Sequence, residues 1–356
     1  MLAGGDRVTV LDVRTASDRE EWSIPGSLHI DAYDALKAGE ALALTGMELP
    51  RDVPVVTVCN AGATSQIAMQ QLRDHGYLAR SLEGGMKAWS LAWNTAELSF
   101  PERSATGIQV RRTGKGCLSY IVGNSGEALV IDASLDPGVY IDLARNRGWT
   151  ISHVVDTHIH ADHLSSSVAV AGQTGAVHHL PVQERASFPF SPLLDGDAIR
   201  IGDATLRAVA APGHTLESMV FVLDEHALFT GDTMFLSGVG RPDLEASADE
   251  TRVRARLLYH SLQKVVAMSP QLVVLPGHTD RPVPFDGRPI SMKLGDVATR
   301  VEAVKLPEEE FVAFLLKRIP PAPPNHATIV SLNEAGAMSE TDRTDLEAGA
   351  NRCAVS

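Results

Sequence analysis

The fold is decided by the stretch Thr157-His158-Ile159-His160-Ala161-Asp162-His163. This stretch places three imidazoles and a carboxylate within six residues. It directly follows the mostly apolar run 151–155, which is typical of a buried β-strand. A single His in a turn is usually solvated or hydrogen-bonded. This dense set, however, would leave imidazoles and a carboxylate competing for the same donors unless a cation bound them. The stretch therefore predicts a metal site.

Three later residues extend the set of metal-binding side chains. They lie in the segments Ala211-Pro212-Gly213-His214-Thr215, Thr230-Gly231-Asp232-Thr233 and Leu275-Pro276-Gly277-His278-Thr279. Each segment follows an apolar run and contains a glycine, so we expect each ligand to lie on the loop that ends a strand. A sheet with these loops at one edge could hold all the ligands together.

The order HxHxDH, His, Asp, His resembles that of the metallo-β-lactamase superfamily over about residues 119–280. The resemblance implies an αββα sandwich that carries its metal at this edge, in a domain that we place at 111–325. The predicted metal ligands are His158, His160, Asp162, His163, His214, Asp232 and His278.

Length, charge and cysteine content limit the class of protein. A chain of 356 residues is long enough for two domains. The excess of 44 Asp+Glu over 31 Lys+Arg argues against binding nucleic acid or an anionic membrane. Cys59, Cys117 and Cys353 are odd in number and widely separated, which predicts free thiols and a cytoplasmic location. We see neither a leader segment nor an apolar run long enough to span a membrane.

The first hundred residues alternate strands and helices. Residues 8–14 and 53–58 are apolar and β-branched, and a helix with apolar residues at helical spacing follows the second run and stops near Gly76. This pattern predicts a small parallel α/β domain at 1–98. The polar residues that follow, with Pro101 and Gly107, predict a linker at 99–110.

Cys59 lies where the second of these strands runs into the helix. A helix N-terminus with free backbone N–H groups stabilises an anion, which favours a thiolate or a persulfide. An inert buried Cys is the alternative, but the junction favours a reactive one. We expect the sulfur to be surrounded by the loop Asn60, Ala61, Gly62, Ala63, Thr64 and Ser65.

This part of the chain resembles the rhodanese, or sulfurtransferase, domain. The resemblance rests on Leu11-Asp12-Val13-Arg14, on Ile24-Pro25-Gly26-Ser27-Leu28-His29-Ile30, on the Cys59 loop and on Leu82-Glu83-Gly84-Gly85-Met86-Lys87-Ala88-Trp89. It implies that Cys59 is catalytic and carries sulfur as a persulfide. Active loops of this kind usually contain an Arg that helps to hold thiosulfate. Ala63 and Thr64 offer no cation here, so thiosulfate as the donor is in question.

The ligand types permit two kinds of metal centre. One carboxylate with two imidazoles suits ferrous iron and leaves open positions for oxygen and substrate. The full set of seven ligands suits two zinc ions instead. The residues alone leave both alternatives open.

The segment Gly238-Val239-Gly240-Arg241-Pro242-Asp243 resembles the persulfide dioxygenase branch of the superfamily more than the hydroxyacylglutathione hydrolases. This resemblance implies one Fe²⁺ per chain, bound by His158, His214 and Asp232. The other four residues, His160, Asp162, His163 and His278, would support these three or line a vacant second site. Arg241 is predicted to orient the substrate or to support the ligands. For Asp243, pairing with Arg241 and a different role are equally open.

The combined hypothesis is an iron-dependent dioxygenase that uses O₂ to oxidise a low-molecular-weight thiol persulfide, such as glutathione persulfide, to sulfite. Sulfur transfer at Cys59 would be coupled to it. The alternatives are a dinuclear Zn²⁺ thioester hydrolase and a sulfur-carrier module that does not turn over. The sequence leaves open whether the protein forms a homodimer. Residues 326–356 are predicted to be a partly disordered extension, in which Cys353 is most simply a tail thiol without a role.

Overall fold

The computed structural model describes residues 7–41, 43–44, 46–100, 105–281, 283–337, 343–349 and 351–355. Within these ranges the chain forms two α/β units, which residues 90–92 connect. A C-terminal segment forms ion pairs with both units.

The N-terminal unit is a small parallel sheet with helices around it. Its elements are β1 (Thr9–Asp12), α1 (Ala16–Glu21), β2 (Leu28–His29), α2 (Tyr33–Lys37), β3 (Val55–Val58), α3 (Ala63–Asp74), β4 (Ala79–Ser81) and α4 (Gly85–Trp89). The strands lie in the order β2-β1-β3-β4, and every pair is parallel. Leu11, Val55 and Leu72 are buried in its core. The predicted parallel α/β domain is therefore confirmed.

A seven-stranded sheet begins the second unit. Its elements are β5 (Trp93–Ser99), β6 (Thr106–Arg112), β7 (Leu118–Asn124), β8 (Glu127–Ile131), α5 (Pro137–Asn146), β9 (Thr150–Val155), α6 (Ser167–Thr174), β10 (Val177–Pro181) and β11 (Ser191–Leu193). Each strand neighbours the next one along the chain. Helices α5 and α6 cover the outer face, where Tyr140 and Val170 pack against Val130 and Val154.

A six-stranded sheet completes the unit. Its elements are β12 (Ala198–Ile201), β13 (Ala204–Ala210), β14 (Met219–Leu223), β15 (Ala227–Gly231), α7 (Ala248–Val266), β17 (Val273–Pro276), β18 (Met292–Lys293), α8 (Leu294–Arg300), a 3₁₀ turn (Glu302–Lys305) and α9 (Glu308–Arg318). The strands lie in the order β12-β13-β14-β15-β17-β18. The short strand β16 (Val239–Gly240) lies outside this sheet.

The two large sheets pack face to face over one apolar core. Leu129 and Val155 of the first sheet lie in the same buried cluster as Phe221 of the second. The Tyr120 ring meets the Phe229 ring edge-on, with 4.9 Å between the centroids. Because α7 and α9 bury the opposite face of the second sheet, the order of layers is αββα, as predicted. Among the described residues, no helix has both the length and the apolar character needed to cross a bilayer.

The predicted linker at 99–110 is wrong where the structure describes it. Strands β5 and β6 pair antiparallel along their whole length, from Trp93 opposite Arg112 to Ser99 opposite Thr106. They extend the first sheet by a hairpin, and Ile108 and Val110 face its core. Among the polar residues of this segment, Ser99 and Thr106 are exposed, whereas Gln109 is fully buried. Residues 101–104 lie outside the described residues.

The C-terminal extension is more ordered than the sequence predicted. It contains α10 (His326–Ala335), α11 (Arg343–Glu347) and β19 (Ala354–Val355), which pairs antiparallel with β16. The Glu347 carboxylate is fully buried, lies 2.5 Å from the Arg112 guanidinium and accepts a hydrogen bond from the Leu164 amide at 2.8 Å. The polar composition of this segment predicted disorder, but a buried ion pair of Glu347 fixes it in place. Residues 338–342, 350 and 356 lie outside the described residues.

Removing this buried carboxylate should destabilise the fold. We expect Glu347→Ala to lower the free energy of unfolding by about 3–5 kcal/mol, because it leaves the Arg112 guanidinium buried without its partner. Chemical denaturation measures the change. Asp142→Ala is the matched control, since it breaks an exposed ion pair with Arg145 that contributes only about 0–1 kcal/mol. Equal small effects in both variants would contradict this prediction.

Candidate metal centre and thiol site

The predicted ligands come together because four strands end at the same edge. The HxHxDH loop follows β9, His214 follows β13, Asp232 follows β15 and His278 follows β17. Strands β15 and β17 are parallel, and Gly231 lies opposite Pro276. All seven predicted ligands are buried, with at most 4% of any residue exposed. They divide into two clusters and one separate imidazole.

The first cluster contains His158, His214 and Asp232, whose ligand atoms all lie within 4.8 Å of one another. The Nδ1 atom of His158 is hydrogen-bonded to Thr157 Oγ1 at 2.9 Å, and that of His214 to the Arg241 carbonyl at 2.7 Å. Each imidazole therefore keeps its Nε2 atom for a metal. His214 Nε2 lies 3.7 Å from Asp232 Oδ2. This is the trio that the sequence assigned to iron.

The second cluster contains Asp162, His163, His278 and Cys117, again with ligand atoms within 4.8 Å of one another. Asp162 Oδ1 is hydrogen-bonded to His163 Nδ1 at 3.0 Å, and Asp162 Oδ2 to His278 Nε2 at 2.7 Å. The other nitrogen of His278, Nδ1, is hydrogen-bonded to Asp232 Oδ1 at 2.6 Å. Asp232 therefore joins the two clusters, with one oxygen on each side.

His160 belongs to neither cluster. Its Nε2 atom is 3.2 Å from Asp132 Oδ1, although its ring lies between those of His158 and His163, with centroids 4.3 and 4.2 Å away. Asp132 also accepts hydrogen bonds from the Thr157 amide and hydroxyl. The Asp132 carboxylate therefore fixes the start of the HxHxDH loop.

Charges within the centre favour a bound cation. Burial and the neighbouring imidazoles keep the pKa of His158 well below its usual value. Burial alone would lower the pKa of His163, but the Asp162 carboxylate raises it to about 10. Burial would raise the pKa of Asp232, but His278 lowers it. The carboxylates are therefore ionised, while His158 is neutral and ready to bind a metal.

Unpaired polar atoms show that the residues fit a metal. Asp232 Oδ2, His160 Nδ1 and His163 Nε2 are buried and have no hydrogen-bond partner among the described residues. Such atoms are costly to bury unless an ion binds them. The residues present therefore fit a bound metal, and their types permit iron or zinc.

Arg241 has a different role from the predicted contact with substrate. Every N–H of its fully buried guanidinium is donated, to the Asp243 carboxylate and to the carbonyls of Pro320, Pro321 and Arg352. Nothing of the side chain is left for a substrate. The backbone carbonyl orients His214, as described above. The predicted pairing with Asp243 is confirmed, and support of the ligands runs through the backbone.

The C-terminal strand covers the centre. The Cys353 carbonyl accepts a hydrogen bond from the Arg241 amide at 3.0 Å, and the Cys353 thiol is buried within 4.8 Å of the ligand atoms of Asp232 and His278. Cys353 is therefore packed beside the metal-binding residues, and whether its thiol has a role stays a prediction. Two small cavities, of about 20 and 30 Å³, border the ligands.

Cys59 lies at the end of β3, where the sequence placed it. Its buried Sγ atom accepts hydrogen bonds from the Gly62 amide at 3.2 Å and the Ser65 amide at 3.3 Å, and it lies 3.3 Å from Ser65 Oγ. Gly62 has a φ of 92°, a left-handed conformation that suits glycine and turns its N–H towards the sulfur. The loop therefore provides the donors that stabilise a sulfur anion.

The rest of the predicted sulfur-binding loop does not reach the Cys59 sulfur through side chains. Asn60 donates to Asp18, Ala61 and Ala63 are exposed, and Thr64 is buried. The loop backbone is tied to α4, since the Met86 amide donates to the Cys59 carbonyl at 2.8 Å. The two loop amides that do donate to the sulfur are those of Gly62 and Ser65.

Sequence reasoning missed three residues at the metal centre. Asp132 directly follows an apolar strand, which is the signal that identified Asp232 and His278. Cys117 and Cys353 carry no such signal, because their neighbourhood depends on how distant segments pack.

Two family models match the chain. Residues 1–92 match the rhodanese-like domain, and residues 112–278 match the metallo-beta-lactamase superfamily. The chain therefore joins a rhodanese-like domain to a metallo-β-lactamase fold, as the motifs predicted.

Curated relatives carry two different activities in their names. The hydroxyacylglutathione hydrolase of Rhizobium etli is 32% identical over 157 residues, which are 43% of this chain and 58% of that protein. The mitochondrial persulfide dioxygenase ETHE1 of Homo sapiens is 30% identical over 165 residues, which are 45% of this chain and 63% of that protein. The chain thus spans less than two thirds of the length of these relatives.

Two solved structures resemble the fold. A metallo-beta-lactamase from Staphylococcus aureus subsp. aureus COL has a TM-score of 0.61 at 27% identity, covering 67% of this chain and 74% of that chain. ETHE1 from Myxococcus xanthus has a TM-score of 0.55 at 26% identity, covering 69% and 99%. Because the relatives differ in activity, the likeness defines the fold and the reaction has to be inferred from the site.

Glycine at position 240 should be required for metal binding. A Cβ atom there would lie 1.9 Å from the Asp232 carbonyl oxygen and 3.1 Å from His214 Cβ. We expect Gly240→Ala to weaken metal binding at least about tenfold, because it displaces two ligands. Metal titration of the chelator-treated protein measures this. Gly172→Ala in α6, where an added Cβ meets nothing within 4 Å, should bind metal as the wild type does. A Gly240→Ala protein with unchanged affinity would refute this prediction.

Proposed function

We propose that the chain is an iron-dependent persulfide dioxygenase whose metal-binding domain oxidises a low-molecular-weight thiol persulfide, such as glutathione persulfide, to sulfite. Sulfur transfer at Cys59 accompanies this reaction. The thiol persulfide and O₂ are the substrates. The overall reaction balances when persulfide, O₂ and one water give the free thiol, sulfite and two protons.

The grouping of His158, His214 and Asp232 within 4.8 Å is the observation that carries the proposal. Two imidazoles and one carboxylate form the ligand set that suits ferrous iron and leaves positions for substrates. Asp232 uses Oδ1 to hold His278 and has only Oδ2 left for the first cluster. This division favours a single reactive metal over two metals bridged by Asp232.

When bound, ferrous iron supplies the activation of O₂ that direct oxidation of a thiol persulfide lacks. The chain supplies orientation and a dry site. Thr157 and the Arg241 carbonyl hold the imidazoles of His158 and His214 in place, and the buried ligands exclude bulk water. Such preorganised ligands need no rearrangement before the reaction.

Access to the centre depends on the C-terminal strand. The bordering cavities of about 20 and 30 Å³ hold about one water molecule each and no thiol persulfide. Asn351 and Ala354 line one of them. Movement of this strand would therefore open one side of the centre to substrate. Free thiols at all three cysteines agree with a reducing compartment, and we propose the cytoplasm.

A dinuclear zinc hydrolase of a thioester is the second candidate. It is supported by the presence of all seven ligand types at one edge and by the likeness to hydroxyacylglutathione hydrolases. Metal analysis of anaerobically purified protein, combined with an oxygen electrode, separates the two candidates. Two zinc ions per chain, thioester hydrolysis and no O₂ uptake would support the hydrolase.

Loss of one imidazole of the first cluster should abolish oxidation. We expect His158→Ala to lower O₂ uptake with glutathione persulfide at least about a hundredfold, because a metal ligand is removed. The oxygen electrode measures the rate, and circular dichroism checks the fold. His260→Ala, which removes an exposed imidazole on α7, is the matched control and should keep full activity. Iron-loaded wild type without O₂ uptake would refute the proposed reaction.

Sulfur transfer should depend on Cys59 and not on the metal ligands. We expect Cys59→Ser to abolish the protein-catalysed formation of thiocyanate from cyanide and glutathione persulfide, since the Cys59 thiol is the proposed acceptor of the sulfur. The same variant should keep O₂ uptake, and His158→Ala should keep thiocyanate formation. Loss of both activities in either folded variant would show that the two sites are not separate.

A further inference from the structure

We infer that Asn333, on helix α10 of the C-terminal segment, is a positioning residue of the metal centre. Its side-chain amide fixes the backbone of the HxHxDH loop, and the affinity for metal depends on it. Because this role is the same for iron and for zinc, it rests on the proposed function only in taking the loop to serve the reactive metal.

The side chain of Asn333 binds the loop backbone at three points. Its Nδ2 atom donates to the His160 carbonyl at 2.8 Å and to the His163 carbonyl at 2.9 Å. Its Oδ1 atom accepts a hydrogen bond from the Ser165 amide at 2.9 Å. Both N–H groups are therefore used. A flipped amide would set its oxygen against two carbonyls, so the three partners fix the orientation of the side chain.

The loop needs partners of this kind because it lies outside the strands and helices. Buried backbone groups in such a segment have to be satisfied by side chains or by distant backbone. The Ile159 amide, for example, donates to the Glu217 carboxylate at 3.2 Å. Asn333 holds two of the predicted ligands, His160 and His163, by their own carbonyls.

The same face of α10 also makes an apolar contact with the loop. Val330 lies in one buried cluster with Ile159 and Ala161, the two apolar residues that alternate with the histidines. Val330 and Asn333 are three residues apart, so they lie on one side of the helix. Helix α10 therefore clamps the loop with an apolar contact and a polar one.

This clamp acts on the metal through the direction of the imidazoles. Residues that orient metal ligands commonly change metal affinity 10–100-fold when they are removed, by a rough rule. The N–H groups of Asn333 are all donated to the loop, so its part is to hold ligands and not to contact substrate. Because coupling between two binding events is reciprocal, metal binding should in turn stabilise the docking of α10.

Titration of the full-length, chelator-treated protein with Co²⁺ alone tests the role of Asn333. The visible absorption of bound Co²⁺ depends on the number and geometry of its ligands. We expect Asn333→Ala to bind Co²⁺ at least about tenfold more weakly and with an altered visible spectrum, because the loop backbone loses its donors. Circular dichroism checks the fold. A folded Asn333→Ala protein with wild-type affinity and spectrum would overturn the inference.

Two control variants separate positioning from general stability. Glu334→Ala removes the next side chain of the same helix, which pairs with Arg185 at the surface. Val297→Ala truncates a buried side chain of α8 in the core on the outer face of the second sheet, so it lowers stability without touching the loop. Both should keep the affinity and the spectrum of the wild type. A loss in Val297→Ala equal to that in Asn333→Ala would assign the effect to stability and overturn the positioning role.

Hydrogen exchange of the wild type provides a measurement that needs no variant. We expect the amides of α10 to exchange severalfold more slowly with Co²⁺ bound than without it, because docking of the helix and metal binding support each other. Equal exchange in both states would contradict the clamp, even if Asn333→Ala did not fold.

These measurements are independent of the reaction. Weak Co²⁺ binding by Asn333→Ala, together with iron-loaded wild type that takes up no O₂, would support the positioning role and refute the dioxygenase. Wild-type Co²⁺ binding by Asn333→Ala, together with normal O₂ uptake by the wild type, would overturn the positioning role and leave the dioxygenase proposal intact.

Discussion

The buried carboxylate of Asp232 is the constraint on which the rest of the centre depends. One oxygen binds the His278 imidazole at 2.6 Å, and the other is buried without a hydrogen-bond partner among the described residues. Burying an ionised oxygen in this way costs several kcal/mol unless a cation compensates it. The backbone at Gly277 packs closely against the Asp232 carboxylate, since a Cβ atom at this position would lie 2.7 Å from Asp232 Oδ1. The fold thus keeps in place a carboxylate that His278 stabilises through one oxygen and that a bound metal would stabilise through the other.

The C-terminal segment connects this centre to the rhodanese-like domain. Glu347 neutralises the buried Arg112 of the metal-binding domain, and Arg352 pairs with Glu21 of the N-terminal domain at 2.7 Å. Cys353 follows directly and lies against the metal ligands. A single short segment therefore contacts both domains and covers the metal centre. Movement of this segment away from the metal ligands would therefore also disturb its contact with the N-terminal domain.

Short-range sequence patterns were sufficient to predict both folds and the residues that meet at the ends of the strands. The HxHxDH spacing and the glycines before Asp232 and His278 act locally, because each ligand needs only a strand that ends beside it. The pattern also placed Cys59 correctly at a helix N-terminus. These features could be predicted because the chemistry and the local backbone conformation are encoded in the same few residues.

Features that depend on packing between distant segments could not be predicted. Cys117 is 45 residues from Asp162 in the chain, and nothing near it suggests a contact with a carboxylate. The buried partner of Glu347 is 235 residues away, so a polar composition looked like a mobile tail. The Arg241 motif was recognised, but the direction of its guanidinium depends on the distant carbonyls of Pro320, Pro321 and Arg352.

The charge of the Cys59 loop explains how the two domains could act on the same sulfur. The Cys59 sulfur accepts hydrogen bonds from the backbone amides of Gly62 and Ser65. The loop has no cationic side chain at Ala63 or Thr64. Two N–H donors and a helix N-terminus stabilise a single negative charge, as on a persulfide, better than the double charge of thiosulfate. The sulfur form that this loop favours is therefore the form that the proposed dioxygenase consumes. The missing Arg, which weakens the case for a thiosulfate sulfurtransferase, strengthens the case for persulfide exchange with a small thiol.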